Sequence, residues 1–275
     1  MNQRTITLLL FAALLVQHAT AQPRIFAEGV ISTGDYETHP AFSPTGDTLY
    51  FLKGLPDAGF FSICVSYKKE GKWTIPQVAP FSGQYTDADP FVTRDGKMLY
   101  FVSNRPAKAG EPARSDWDIW KVEITANGWG KPIHLDSTIN SSSSEYFPTL
   151  ADNGNLYFGS GRKGGKGRSD IYVSRFIDGH YGPPENLGNS INTADNEYEP
   201  YIAPDESYLI SATEWGGKVT RDGKYFFFGS SRNKIRDTLP QREDMKAFDH
   251  RLHSAGNGLG DIYYIEMKSL LSVSP

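Results

Sequence analysis

The chain of 275 residues has a single cysteine, Cys64. No internal disulfide can hold it together, so its stability must come from packed secondary structure. It also lacks a charge excess: 28 Lys and Arg are interspersed with 32 Asp and Glu. That excludes the basic stripe of a nucleic-acid partner or an anionic membrane surface. Beyond residue 21 there is no long apolar run, and no membrane span is expected. There is no G-x-S-x-G elbow and no length left over to house a hydrolase domain around one. The Gly-rich stretch Gly161 to Gly167 lacks the G-K-[ST] ending of a phosphate loop and reads as a hairpin tip. Cys64, within Phe61-Ser-Ile-Cys-Val-Ser66, reads as a buried apolar thiol rather than a nucleophile.

The first 21 residues have the features of a secretory leader. Arg4 supplies a positive start, Ile6 to Val16 is apolar, and Ala19-Thr-Ala21 is a small-x-small cleavage site. The expected mature chain is residues 22–275, a single domain, exported to the periplasm or secreted.

What is present in abundance is a repeated phrase. Asp87-Ala-Asp-Pro90 is followed by Arg94-Asp-Gly96 and then by Met98 to Arg105. Counterparts begin at Glu37-Thr-His-Pro40, Glu145-Tyr-Phe-Pro148 and Glu197-Tyr-Glu-Pro200, and a last copy runs from Lys218 to Arg232. Each unit has an acidic start, two spacers and a proline, then a short strand and a tight turn. Gly46, Gly96, Gly154 and Gly223 sit where such a turn demands positive φ. The most apolar strand follows, as in Leu49 to Leu52 and Met98 to Val102. A third strand begins Asp118-Ile-Trp, Asp170-Ile-Tyr or Asp261-Ile-Tyr. A fourth carries an aromatic residue and then proline (Trp73 to Pro76, Trp129 to Pro132, Tyr181 to Pro184), which suits an outer edge.

Four antiparallel strands recurring at about fifty residues predict an all-β propeller, because one such unit cannot bury its own apolar faces. The N-terminal piece from Arg24 matches the end of a unit, and the chain's last unit stops after its third strand. The N-terminal strand is therefore expected to close the ring. Successive anchor prolines lie 50, 58 and 52 residues apart (Pro40, Pro90, Pro148, Pro200), but the next equivalent position, Gly217, follows after only 17. Four complete blades and one partial blade are predicted, the short one either internally deleted or naturally abbreviated.

The acidic-x-x-Pro start, the D-G turn, the L-Y-F strand, the S-x-R end and the D-I-[YW] third strand together resemble the TolB-type WD40-like β-propeller repeat, over residues from about 24 to 267. The resemblance implies an exported binding platform.

Three groups of residues are candidates for function. Glu37, Asp87, Glu145 and Glu197 recur once per blade and could ring the channel mouth, binding a cation or a basic segment. Their recurrence favours a structural role, capping backbone N–H groups or pairing with a neighbouring blade. Arg105, Arg162 and Arg232 end second strands while Asp118, Asp170 and Asp261 begin third strands; these are read as hairpin ties. The longest irregularity, residues 233–260, predicts a short helix over 241–253 lying across one face, with Met245, Phe248 and Leu252 on one side. Asp244, Asp249, His250 and His253 there are candidate binding residues, but two imidazoles and a carboxylate without a fourth partner are not read as a metal site. The expectation is a non-catalytic module without a cofactor, monomeric if the ring closes, binding an envelope protein or small ligand. The alternative is a glycan- or lactone-acting hydrolase or lyase with a central acidic site.

Overall fold

The computed structural model describes residues 22–55, 57, 59–212, 217–231 and 244–267. The proposed leader, Arg232 and residues 241–243 of the expected helix lie outside them. The chain opens with β1 (Arg24–Ile25). The first blade is β2 (Tyr36–Phe42), β3 (Thr48–Leu55) and β4 (Phe60–Lys69), with β5 (Lys72–Trp73) and β6 (Gln77–Val78) along the outer edge of β4. The second is β7 (Asp87–Val92), β8 (Met98–Ser103) and β9 (Asp118–Thr125), edged by β10 (Gly128–Trp129) and β11 (Ile133–His134). The third is β12 (Glu145–Leu150), β13 (Leu156–Ser160) and β14 (Asp170–Ser174). A small hairpin of β15 (Phe176–Ile177) and β16 (His180–Tyr181) precedes its outer strand β17 (Glu185–Asn186).

Then comes the short unit, a sheet of only β18 (Tyr198–Ile202) and β19 (Leu209–Ala212). The final blade is β20 (Gly217–Val219), β21 (Tyr225–Ser230) and, after helix α1 (Met245–Leu252), β22 (Asp261–Glu266). Its outermost strand is β1, paired antiparallel with β22 through Arg24↔Tyr264 and Ile25↔Tyr263. The ring of four complete blades and one partial blade is thus closed by the N-terminal strand. The inner strands β2, β7, β12, β18 and β20 neighbour one another in that order, and β20 returns to β2.

The core lies between blades. Phe51, Phe101 and Phe158 hold the same place in three second strands and are completely buried; each such ring stabilises by about 1.5–3 kcal/mol. Separate apolar clusters join blades one and two, two and three, and the last blade with the first. Cys64 is buried in the last of these, and burial pushes its thiol up to about 11. The partial sheet packs on blade three through Ile202, Tyr157 and Val173. In its turn Glu206 stands where the other units have glycine, with φ of 59°. Its carboxylate accepts from Asn153, Asn155 and Tyr157 at 2.9, 2.9 and 2.6 Å, fastening the short unit to its neighbour.

Helix α1 starts at Asp244, whose side chain accepts from the Ala247 amide at 2.8 Å, and it buries none of its residues. Met245, Phe248 and Leu252 are exposed, so the apolar stripe does not lie against the propeller as the periodicity predicts. The contacts come just after the helix instead: the His253 backbone abuts Gly34, and Asn257 donates to Gly34 O at 2.9 Å.

Candidate active site

Every acidic start faces into its own blade. Glu37 accepts from the Thr33 amide and hydroxyl at 3.0 and 2.5 Å, and from Lys53 at 2.8 Å. Asp87 is held by Ser82 at 2.7 Å and Arg105 at 2.6 Å. Glu145 accepts from the Ser141 amide and hydroxyl, from Ser160 and from Arg162. Glu197 accepts from Thr193 at 2.5 Å. Burial raises the Asp87 and Glu145 carboxyls against the stabilising pull of these donors.

The arginines pair with these starts rather than with the third-strand aspartates. Arg105 and Arg162 also donate to Phe81 O and Ile139 O, and they lie over Phe101 and Phe158 respectively. Asp170 and Asp261 close the loops that lead into third strands, while Asp118 ties its third strand to the blade's outer edge. Asp118 accepts from His134 at 2.7 Å, Asp170 from the Lys166 and Gly167 amides at 2.8 Å each, and Asp261 from the Gly256 amide at 2.8 Å. The Gly-rich hairpin tip therefore turns two of its amides to a side chain of its own blade. On α1, His253 and Asp249 form an exposed pair at 3.3 Å, and Asp244 and His250 are exposed as well.

The residues brought together across the channel are different ones, each just before an anchor proline. All four long inner strands break register there, between Thr38 and Ala41, Ala88 and Phe91, Tyr146 and Thr149, and Tyr198 and Tyr201. Proline brings no amide to the ladder, and a bulge re-aims the side chain beside it. The re-aimed residues are His39, Asp89, Phe147 and Glu199, with φ of 53°, 53°, 53° and 48°. A non-glycine residue held in that left-handed region costs on the order of 1–3 kcal/mol, strain that characteristically accompanies functional positions.

His39 is the centre of this group. Its Nε2 meets the Glu199 carboxylate directly and lies 3.9 Å from Asp89 Oδ1. Its Nδ1 is 2.6 Å from the Thr38 hydroxyl, and its ring lies 5.5 Å from that of Phe147. Asp89 Oδ2 accepts from the Phe147 amide at 3.1 Å. Lys218, from β20, donates to Pro90 O at 2.5 Å. With Pro40, Pro148 and Pro200, the side chains of His39, Asp89, Phe147, Glu199 and Lys218 enclose a cavity of about 20 Å³, room for roughly one water molecule. The side chains of His39, Asp89 and Glu199 are 12%, 7% and 11% exposed, so each still reaches open space.

The electrostatics follow from two carboxylates and two cations sharing a dry site. Burial disfavours the His39 imidazolium, but the charge and hydrogen bond of Glu199, helped by Asp89, outweigh it and leave the ring raised. Burial pushes Asp89 up to about 6, with Glu199 adding to the shift and His39, the Phe147 amide and Lys218 restraining it. Burial brings Lys218 down to about 8, against the pull of Glu199 and Asp89. The group therefore combines a carboxylate that titrates near neutrality, an imidazole whose charged form Glu199 favours, and an ammonium. Thr38 has no exposed surface, so its hydroxyl orients the ring and cannot attack a substrate.

The sequence contained a signal for this group. In four copies the acid is kept at the unit's start, while the residue before proline reads His, Asp, Phe and Glu. A repeat position whose backbone is kept and whose side chain is not is free of the scaffold's demands. Lys218 belongs to the abbreviated junction and carried no such mark.

No family model matches the chain, and no curated protein resembles it in sequence. Among solved structures it is similar to an α-L-arabinofuranosidase from Lactobacillus brevis, at 10% identity over 86% of this chain and 91% of that one, with a TM-score of 0.48. It is also similar to a gluconolactonase from Xanthomonas campestris, at 11% identity over 75% and 91% of the two chains and a TM-score of 0.42. A thermostable family-43 glycoside hydrolase has 14% identity, covering 82% and 69%, with a TM-score of 0.39. Two expectations are corrected here. Membership in the TolB-type WD40-like family is not met, since no family model matches. The expected non-catalytic, protein-binding role goes with it, because the inner strands present a strained, buried acid–base cluster to the channel. Among the described residues no helix is long and apolar enough to cross a membrane.

Proposed function

We propose that this propeller is a hydrolase of lactones or glycosidic bonds whose acid–base machinery is His39, Asp89, Glu199 and Lys218. The observation that carries the reading is their convergence on one water-sized cavity, three of them from the same strained position of different blades. In the reaction, ionised Asp89 takes a proton from water as the water oxygen bonds to the substrate's electrophilic carbon. The Lys218 ammonium, which keeps one proton on Pro90 O, gives another to the departing oxygen as its bond breaks, and His39, held by Glu199 and Thr38, favours the ionised form of Asp89. Asp89 then returns its proton to Lys218, and the site is restored. The substrate is a small molecule, and the leader-like residues 1–21 make the reaction an extracytoplasmic one.

The neighbours' named activities decide only what to try first. Acid release from aldonolactones and phenol release from aryl glycosides would be followed with purified residues 22–275 and with Asp89→Asn. Turnover in the parent that falls about 10²–10⁴-fold in the variant is the expected result. Equal rates in the two proteins, or inertness of the parent across both panels, would overturn it.

A further inference from the structure

On the turn side of the cluster the channel widens into a second cavity of about 760 Å³, with Pro40 and Lys218 shared between the two. This funnel is large enough for a sugar-sized ligand. Its wall is aromatic, including Trp73, Phe91, Tyr201 and Tyr225. Its charged lining is cationic in a chain whose net charge is −4: Lys68, Arg94, Lys218 and Arg221 stand against the single acid Asp222.

The balance is more one-sided than that count. Asp222 is engaged by the Lys224 ammonium at 3.0 Å and by the Thr220 hydroxyl at 2.7 Å. Arg94 pairs with Asp152 at 3.2 Å. Among the described residues, Lys68 and Arg221 have no ion-pair partner. Arg94 and Arg221 come from the two copies of one turn, Thr93-Arg-Asp-Gly-Lys97 and Thr220-Arg-Asp-Gly-Lys224. The same turn place holds Pro44, Asp152 and Pro204 in the other units. Two guanidinium groups thus reach one rim from different blades, and neither serves a bond that the repeat requires.

We infer that the funnel is a binding site for an anionic sugar, a carboxylate-bearing pyranose. Its ring lies on the aromatic wall, its carboxylate meets Arg221 and Lys68, and its reacting end points to Lys218. A guanidinium fork matches a carboxylate in geometry as well as charge, and an aromatic face suits the apolar face of a ring. The sugar identity rests on the hydrolase reading, whereas the selection for negative charge stands on the funnel alone.

The test is calorimetric titration with glucuronate and with glucose as probes. It uses residues 22–275 as the parent, together with Arg221→Gln, Lys68→Gln and Asp89→Asn. Both cations replaced by glutamine are exposed, so folding is preserved. Glucuronate is expected to bind about tenfold or more tightly than glucose, as one charge-assisted bond would give. Arg221→Gln should remove most of that preference and Lys68→Gln part of it. Equal affinity for the two sugars, a preference untouched by Arg221→Gln, or no binding of either probe would overturn the proposal. Asp89→Asn separates the two readings. If glucuronate binds parent and variant alike and neither protein turns over any substrate, the hydrolase reading fails and the anionic site stands.

Discussion

Two rings of residues lie two positions apart on the same inner strands, and they differ in every respect but their recurrence. The starting acids Glu37, Asp87, Glu145 and Glu197 are 0–4% exposed and bound to donors of their own blade. The pre-proline residues His39, Asp89 and Glu199 are strained, partly open, and bound to one another across blades. A residue the repeat keeps is doing what every blade needs, here fixing the loop that enters it. A residue the repeat varies, at a place where the backbone is kept, is available for what only the whole ring can do.

The comparison breaks most visibly at Asp89. Asp89→Asn is expected to lower turnover about 10²–10⁴-fold while leaving the urea midpoint close to that of the parent. Asp87→Ala, two residues earlier, should do the reverse. It leaves Arg105 buried without its 2.6 Å partner, and breaking such a pair costs about 3–5 kcal/mol. A large stability loss in Asp89→Asn, or a catalytic loss in Asp87→Ala beyond its unfolded fraction, would erase the distinction between the rings.

A smaller effect should appear with pH. Asp89 is raised to about 6 in the fold from its ordinary 3.8, so the folded state holds that proton more tightly than the unfolded chain. Its contribution to stability is fully present below the unfolded value and is lost as pH rises through about 6. Asp89→Asn should flatten that part of the stability profile. Lys218, lowered to about 8, has the opposite sign: its burial cost is present below that value and is relieved as pH rises towards 10.5. For turnover, activity should rise as Asp89 ionises near 6 and fall as Lys218 discharges near 8. Because His39 and Glu199 share the site, the limbs belong to the coupled group. An alkaline limb unchanged in Lys218→Met would remove Lys218 from the machinery.

The fold was legible because a propeller writes its period into the chain. Prolines at bulges, glycines at turns and one apolar strand per unit are each required by local geometry, so they recur. Even the abbreviated unit could be read, from the distance between Pro200 and Gly217. The site was less legible because it depends on which side chains meet across the ring, and no local rule sets that. His39 and Glu199 are 160 residues apart, and only ring closure brings them together. The candidates chosen for their regularity proved to be the ones engaged by their own blades. The helix was found, but its apolar stripe misled, since periodicity shows which residues share a face and not what that face meets.

The smallest effect sharpens the comparison from outside both rings. Asp249 and His253 on α1 look in sequence like a binding pair, with an i, i+4 spacing and an adjacent imidazole at His250. In the fold both side chains are about 70% exposed, and the pair spans 3.3 Å in open solvent. Exposed pairs of this kind contribute about 0–1 kcal/mol, and substitutions clear of the core change stability by about 0.5 kcal/mol or less. Asp249→Ala is therefore expected to leave turnover, glucuronate affinity and the urea midpoint close to the parent's. A clear loss of affinity in that variant would mean that the helix end of the channel, and not the turn end, receives the ligand. The funnel would then have to be read as packing space between blades.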